Sequence, residues 1–145
     1  MWSNVTDSMP VRAAIALLCA AGLYVSLFMV RKTRRAERGE IDGPSVVNEP
    51  HARLFFGVPN ALVGSFYYPL LALAVWIYPS VGAARFGPGQ VLEWFVLLAV
   101  AAAAATSCFL AFNLLFLTKR ECAYCWASHA LNGVLLVIVT ASFFS

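Results

Sequence analysis

The sequence predicts an all-α integral membrane protein, a bundle of four transmembrane helices with a lid segment between helices 1 and 2. Of its 145 residues, 61% are hydrophobic and 12% are charged, and the mean hydropathy is +0.78. A soluble protein of this size cannot bury so much apolar surface in its core. Four charge-free stretches are each long enough to cross a bilayer as a helix: residues 13–30, 54–84, 94–118 and 122–145.

The predicted helices follow these stretches and leave short connections. Pro59 suits the first turn of helix 2, because the N–H that proline lacks has no partner there. The alanine run at 101–105 predicts close packing of helix 3 against its neighbours. Helices 3 and 4 are joined by only a few residues and should form an antiparallel hairpin. We expect one membrane domain over residues 1–145, with helices at about 11–30, 58–79, 91–118 and 122–144 and the lid at 31–57.

The net charge of +3 is explained more simply as a signal for membrane orientation than as a surface that binds nucleic acid. With four spans, most basic residues fall on the side that holds segment 31–57 and the connection between helices 3 and 4. Only Arg12 and Arg85 fall on the opposite side. The positive-inside rule therefore places the first side in the cytoplasm of a cell inner or plasma membrane, with both termini outside. The basic residues on that side are Arg31, Lys32, Arg34, Arg35, Arg38, Arg53, Lys119 and Arg120.

Two cysteines, Cys122 and Cys125, stand at the predicted start of helix 4. On a helix, His129 and Asn132 would share their face, because they lie seven and ten residues after Cys122. The positive end of the helix dipole and the basic pair before the motif favour a thiolate on either sulfur. Because the thiolate is the attacking species in thiol–disulfide exchange, this pair is typical of a redox-active CxxC motif. Both cysteines are therefore candidate catalytic residues.

Metal binding is an alternative that the residues leave open. Cys122, Cys125 and His129 would then bind a soft cation in a non-enzymatic metal-binding or metal-transport protein. A structural zinc site needs four ligands, and the two other cysteines, Cys19 and Cys108, lie deep within predicted spans. We therefore assign no metal ligands. A scaffold subunit with incidental thiols is the third interpretation.

A redox disulfide in a membrane helix needs an electron acceptor that is soluble in lipid. A quinone of the ubiquinone or menaquinone type is the natural two-electron candidate. His129 lies one turn beyond Cys125 and offers a hydrogen bond to a quinone carbonyl, with a helix-packing bond as its alternative role. Asn60, near the start of helix 2, offers a neutral donor for the other carbonyl if it faces the same cavity.

The sequence resembles the vitamin K epoxide reductase family, which includes bacterial quinone-linked disulfide-forming homologues. The resemblance depends on the stretch from Phe56 to Gly64, on the tyrosine pair that ends at Tyr68, and on the CxxC motif with the residues after it. It implies a four-helix bundle around a quinone, capped by the segment between helices 1 and 2. Asn60 matches the family's quinone-contacting asparagine. Phe56 and Tyr68 are further candidates for quinone contact.

The resemblance also implies a role for each sulfur. By analogy Cys125 engages the quinone, and Cys122 exchanges disulfides with the electron donor. His129 stands where vertebrate members carry a quinone-contacting tyrosine, which changes the reach of the hydrogen-bonding group. The analogy therefore leaves the preferred quinone open.

The segment between helices 1 and 2 departs from the family pattern. Most members have a second cysteine pair there, whereas residues 31–56 contain no cysteine, and Gly43 and a residue near Arg35 occupy the expected positions. A partner dithiol, such as a thioredoxin-like protein, would then react with the Cys122–Cys125 disulfide directly. Loss of dithiol oxidation is the alternative. Family members usually face the oxidising side of the membrane, opposite to the orientation that the charges predict.

Overall fold

The computed structural model describes residues 8–41, 46, 53, 57–81, 87–119 and 122–144. Nearly all of these residues belong to four long helices, and α3 continues directly into a π-helical segment. All four helices are long and apolar enough to cross a membrane, which confirms the predicted all-α membrane architecture. The helices are α1 Met9–Glu37, α2 Asn60–Val81, α3 Pro88–Phe112 and α4 Ala123–Phe144, with the π-helical segment at Asn113–Thr118.

Helix α1 is longer than the apolar stretch that predicts it. It ends at Glu37, so residues 31–37, which we expected to begin the lid, form its last turns. Arg34 and Arg35 occupy the final turn, where cations interact favourably with the negative end of the helix dipole. Just beyond the helix, Gly39 has a φ of 71°, a left-handed conformation that glycine adopts without steric cost. The apolar part of α1 thus carries a charged extension.

The connection from α3 to α4 is tight. The π-helical segment ends at Thr118, and the N–H of the next residue, Lys119, donates to the carbonyl of Leu114 at 3.0 Å. Lys119 itself has a φ of 50°, which turns the chain toward the cysteine motif. The wider π turn also holds the Leu114 side chain in a buried position against Cys122.

Helix packing is uneven across the bundle. α1 packs mainly against α2 and α3 mainly against α4, whereas α2 and α3 make fewer contacts because a cavity lies between them. The predicted close packing of the alanine run is wrong for most of its length. Within the run only Ala104 is buried, while Ala102 and Ala103 line the cavity. Their small side chains leave space between the helices.

The main core lies in the half of the bundle away from the cysteine motif. Tyr68, at 1% exposure, is its largest fully buried side chain. A Cβ at Gly22 of α1 would clash with the Tyr68 ring, so the missing side chain is what lets the ring pack there. Large apolar side chains on the outer faces of all four helices are exposed, as lipid contact requires. Core residues include Ile15, Cys19, Leu71, Val75, Val96, Val100, Leu135 and Val139.

Candidate active site

A cavity of about 270 Å³ lies in the half of the bundle that contains the cysteine motif. Helices α1 and α3 contribute residues from their C-terminal halves, and α2 and α4 contribute residues from their N-terminal halves. The wall is mostly apolar, with a few polar side chains. Small-ligand pockets commonly measure about 300–1,000 Å³ and have this mixture of an apolar wall and few polar groups. The cavity is thus suited to a compact, ring-sized ligand.

The two motif cysteines form a disulfide, with their Cα atoms 5.2 Å apart. Cys122 immediately precedes α4, and its Sγ accepts a hydrogen bond from the N–H of Cys125 at 3.3 Å. Its carbonyl accepts the N–H of Trp126 at 3.0 Å. Cys122 therefore occupies the N-cap position of α4, where the free N–H groups and the helix dipole stabilise a negative charge on its sulfur after reduction.

The two sulfurs occupy different environments. Cys125 lines the cavity, whereas Cys122 is absent from the described residues of the wall. Cys122 is 9% exposed and packs in a small cluster with Val46, Leu114 and Met29. One cysteine is thus positioned to meet a ligand, and the other lies beneath a residue of the segment between α1 and α2.

Three of the four predicted quinone-contacting residues line the same cavity: Asn60, Tyr68 and His129. The fourth, Phe56, lies outside the described residues. The Nδ1 atom of His129 is buried and has no hydrogen-bond partner within the described part of the chain. A buried polar atom without a partner is costly, so its position on a cavity wall indicates a site for a polar ligand atom.

Tyr68 differs from the other two because its hydroxyl already has partners within the protein. It donates to Oδ1 of Asn132 at 3.0 Å and lies 3.4 Å from Oγ of Ser128. The Asn132 amide in turn donates to Oγ of Ser107 at 2.7 Å. These bonds connect α2, α4 and α3. Tyr68 therefore shapes the cavity and ties the helices together, and its hydroxyl is already committed to this network.

Sequence reasoning did not select Tyr67, although its side chain also lines the cavity. The Tyr67 hydroxyl is buried, and among the described residues no group pairs with it. The available signal was spacing: Tyr67 lies seven residues after Asn60, which returns it to the same helix face. Tyr68 is eight residues away and turns toward α1 and α4.

Three described residues of the segment between α1 and α2 line the cavity: Val46, Arg53 and Pro59. The Arg53 side chain is 32% exposed, lies 3.9 Å from the Glu37 carboxylate and donates to the Gly57 carbonyl at 3.4 Å. These contacts connect the segment to the end of α1 and to the start of α2. Residues 42–45, 47–52 and 54–56 of the lid lie outside those that the structure describes.

Metal ligands are sparse in the described part of the chain. No group of three or more His, Cys, Asp or Glu side chains comes together there in an arrangement that could hold a metal ion. Both motif sulfurs are joined to each other in this state of the protein.

Four apolar helices surround the cavity, and Cys125 of the CxxC disulfide lies in its wall. The chain belongs to the vitamin K epoxide reductase family, whose model matches residues 13–140. Members of this family are membrane-bound oxidoreductases that are generally linked to quinones. No curated protein matches the chain significantly.

Proposed function

We propose that this protein is a membrane thiol–quinone oxidoreductase that passes electrons from a protein dithiol, through the Cys122–Cys125 disulfide, to a quinone. One observation carries the proposal: Cys125 lies in the wall of a cavity that Asn60 and His129 also line. The family supports the general activity, and the cavity supports these residues as its site.

The cavity residues fit a quinone head group. The wall is mostly apolar and suits the ring, while the amide of Asn60 and the unpaired Nδ1 of His129 are available to its two oxygens. A bound quinone of the ubiquinone or menaquinone type supplies an acceptor for two electrons and two protons. Asn60 and His129 would orient it beside Cys125.

The cysteine pair would exchange electrons with a partner dithiol at Cys122. A thiolate of the partner attacks Sγ of Cys122, the bond to Cys125 breaks, and Cys125 leaves as a thiolate that faces the cavity. The second partner thiol then attacks the mixed disulfide and releases Cys122, whose negative charge the N-terminus of α4 stabilises. The partner leaves as a disulfide, and two electrons remain on the pair. Their transfer to the quinone restores the Cys122–Cys125 bond.

The partner in this scheme is a thioredoxin-like dithiol protein, because segment 31–56 has no cysteine pair of its own. Cys122 is 9% exposed and packs against Val46, so a partner reaches its sulfur only when the Val46 side chain is displaced. The charge distribution favours a cytoplasmic position for this end of the bundle.

The test is quinol formation by the protein in lipid vesicles, with a reduced thioredoxin as donor and a short-chain ubiquinone or menadione as acceptor. We expect turnover in the wild type and in Cys108→Ser, whose cysteine is exposed on α3 and has no role in the scheme. Cys125→Ser should abolish turnover, and His129→Leu should raise the KM for quinone. If quinone does not change the number of free thiols and the protein binds metal stoichiometrically, the metal-binding alternative is supported instead.

A further inference from the structure

Tyr67 and Tyr68 are consecutive, yet their hydroxyl groups have opposite surroundings. The Tyr68 hydroxyl donates to Asn132 at 3.0 Å, whereas the Tyr67 hydroxyl is buried without a partner among the described residues. The two rings touch edge to face, with centroids 5.0 Å apart. The Tyr68 oxygen therefore has a structural use, whereas the Tyr67 oxygen has no partner among the residues that the structure describes.

Packing alone does not account for a tyrosine at position 67. A phenylalanine would fill the same space and would not bury an unpaired hydroxyl, which is unfavourable in an apolar environment. The ring lies on the cavity wall, where a ligand can reach its edge. A hydroxyl that is buried without a partner has a free energy cost, which a hydrogen bond to a ligand would remove.

Three residues of α2 form one continuous part of the cavity wall. Asn60, Gly64 and Tyr67 are four and three residues apart, which places them on one face of the helix, and all three line the cavity. Helical side chains incline toward the N-terminus of their helix, so the Tyr67 ring covers the turn that contains Gly64. Gly64 lies where α2 approaches α1 closely, since a Cβ there would clash with Oγ of Ser26, which also lines the cavity.

We propose that Tyr67 donates a hydrogen bond to an oxygen of the quinone and is a third ligand-binding residue, beside Asn60 and His129. This inference rests on the function proposed above and adds a group from α2 that lies deeper in the cavity than Asn60. The phenol donates to an oxygen of the oxidised quinone and accepts from a hydroxyl of the quinol. It therefore binds the ligand in both redox states.

The experiment compares Tyr67→Phe with Tyr68→Phe in the purified, oxidised protein. One readout is the Kd for menadione and for a short-chain ubiquinone, measured by tryptophan fluorescence quenching. The other is the thermal unfolding temperature without ligand. Tyr67→Phe should weaken quinone binding about 3- to 10-fold, as expected for one lost hydrogen bond, and should leave the unliganded protein as stable as the wild type or more stable. Tyr68→Phe should lower the unfolding temperature.

The outcomes separate this inference from the proposed function. If the wild type binds quinone and Tyr67→Phe binds it equally well, the inference is wrong and the proposed function stands. If Tyr67→Phe lowers the unfolding temperature as much as Tyr68→Phe does, the hydroxyl has a structural partner and the inference is also wrong. If the wild type neither binds quinone nor reduces it, the proposed function itself fails.

Discussion

The hydroxyl of Tyr68 donates a hydrogen bond to Oδ1 of Asn132 across 3.0 Å and so joins α2 to α4, 64 residues further along the chain. Asn132 passes the connection on to Ser107 of α3. Because Asn132 lies two turns beyond Cys125 on the same helix face, this network fixes the rotation of α4 that turns Cys125 toward the cavity. The position of Cys125 in the cavity wall thus depends on a polar contact in the core.

Removal of the Tyr68 hydroxyl should therefore destabilise the protein. We expect Tyr68→Phe to lower the free energy of unfolding by about 0.5–2 kcal/mol, the range for hydrogen bonds between membrane helices, because it leaves Oδ1 of Asn132 without its donor. Denaturation by detergent titration measures the change. Tyr24→Phe, at a side chain that is 67% exposed on α1, is the matched control and should have little effect. Equal stability of both variants would contradict the structural role of the bond.

The packing of the Tyr68 ring against α1 can be tested with two glycines, Gly22 and, as a control, Gly133. A Cβ at Gly22 would clash with Tyr68, whereas a Cβ at Gly133 meets no atom within 4 Å. We expect Gly22→Ala to destabilise the protein by about 1–3 kcal/mol through overpacking. Gly133→Ala should be neutral or stabilising by up to about 1 kcal/mol, because alanine favours the helix. Thermal unfolding of the two variants in one detergent tests the difference, and a reversed order would refute the packing of the ring against Gly22.

The different roles proposed for Cys122 and Cys125 predict which of them forms a mixed disulfide with a partner protein. In Cys125→Ser, the thiolate of Cys122 should displace nitrothiobenzoate from a single-cysteine thioredoxin whose thiol carries that group, and the mixed disulfide should persist because neither protein has a second motif thiol to break it. The mixed disulfide is visible as a larger band on a non-reducing gel. Cys122→Ser should trap little partner, since Cys125 faces the cavity. Stronger trapping on Cys125 would reverse the assigned roles.

A second buried polar contact lies at the end of the bundle away from the cavity. The Tyr78 hydroxyl donates to a carboxylate oxygen of Glu93, and both side chains are buried. Tyr78→Phe should lower the free energy of unfolding by about 1–3 kcal/mol, because a buried carboxylate loses a donor. The Kd for quinone should stay at the wild-type value, since neither residue belongs to the cavity wall. Weaker quinone binding by the folded variant would contradict that separation.

The charge distribution makes a separate prediction about orientation. In a variant that lacks the cysteines of α1 and α3, only Cys122 and Cys125 remain for labelling. After reduction, a membrane-impermeant maleimide should label this pair in inverted inner-membrane vesicles and leave it unlabelled in intact cells stripped of their outer barrier. Labelling of the intact cells alone would place the site on the outer side and overturn the positive-inside prediction.

The sequence predicted the four membrane helices because their signal is local: long charge-free runs are sufficient to define a span. It also predicted one helix face for Cys122, Cys125, His129 and Asn132, which follows from helical periodicity. The structure places the last three on the cavity wall, whereas Cys122 precedes α4 and packs against Leu114.

Other features depend on how the helices are rotated against each other, which periodicity does not fix. The different environments of Tyr67 and Tyr68 belong to this group, as does the position of the alanine run beside the cavity. The position of Cys122 at the N-cap depends on where α4 begins, and helix boundaries are the least reliable part of a prediction from sequence pattern. The extension of α1 to Glu37 likewise reflects helix propensity beyond the apolar run.

The most direct test of the redox assignment is an anaerobic titration of the fully reduced protein with menadione, without any partner and without turnover. We count free thiols by mass spectrometry after alkylation and measure menadiol by its absorbance. The account predicts that one equivalent of menadione closes one Cys122–Cys125 disulfide and yields one equivalent of menadiol. If both thiols stay free while menadione stays oxidised, this pair does not deliver electrons to quinone.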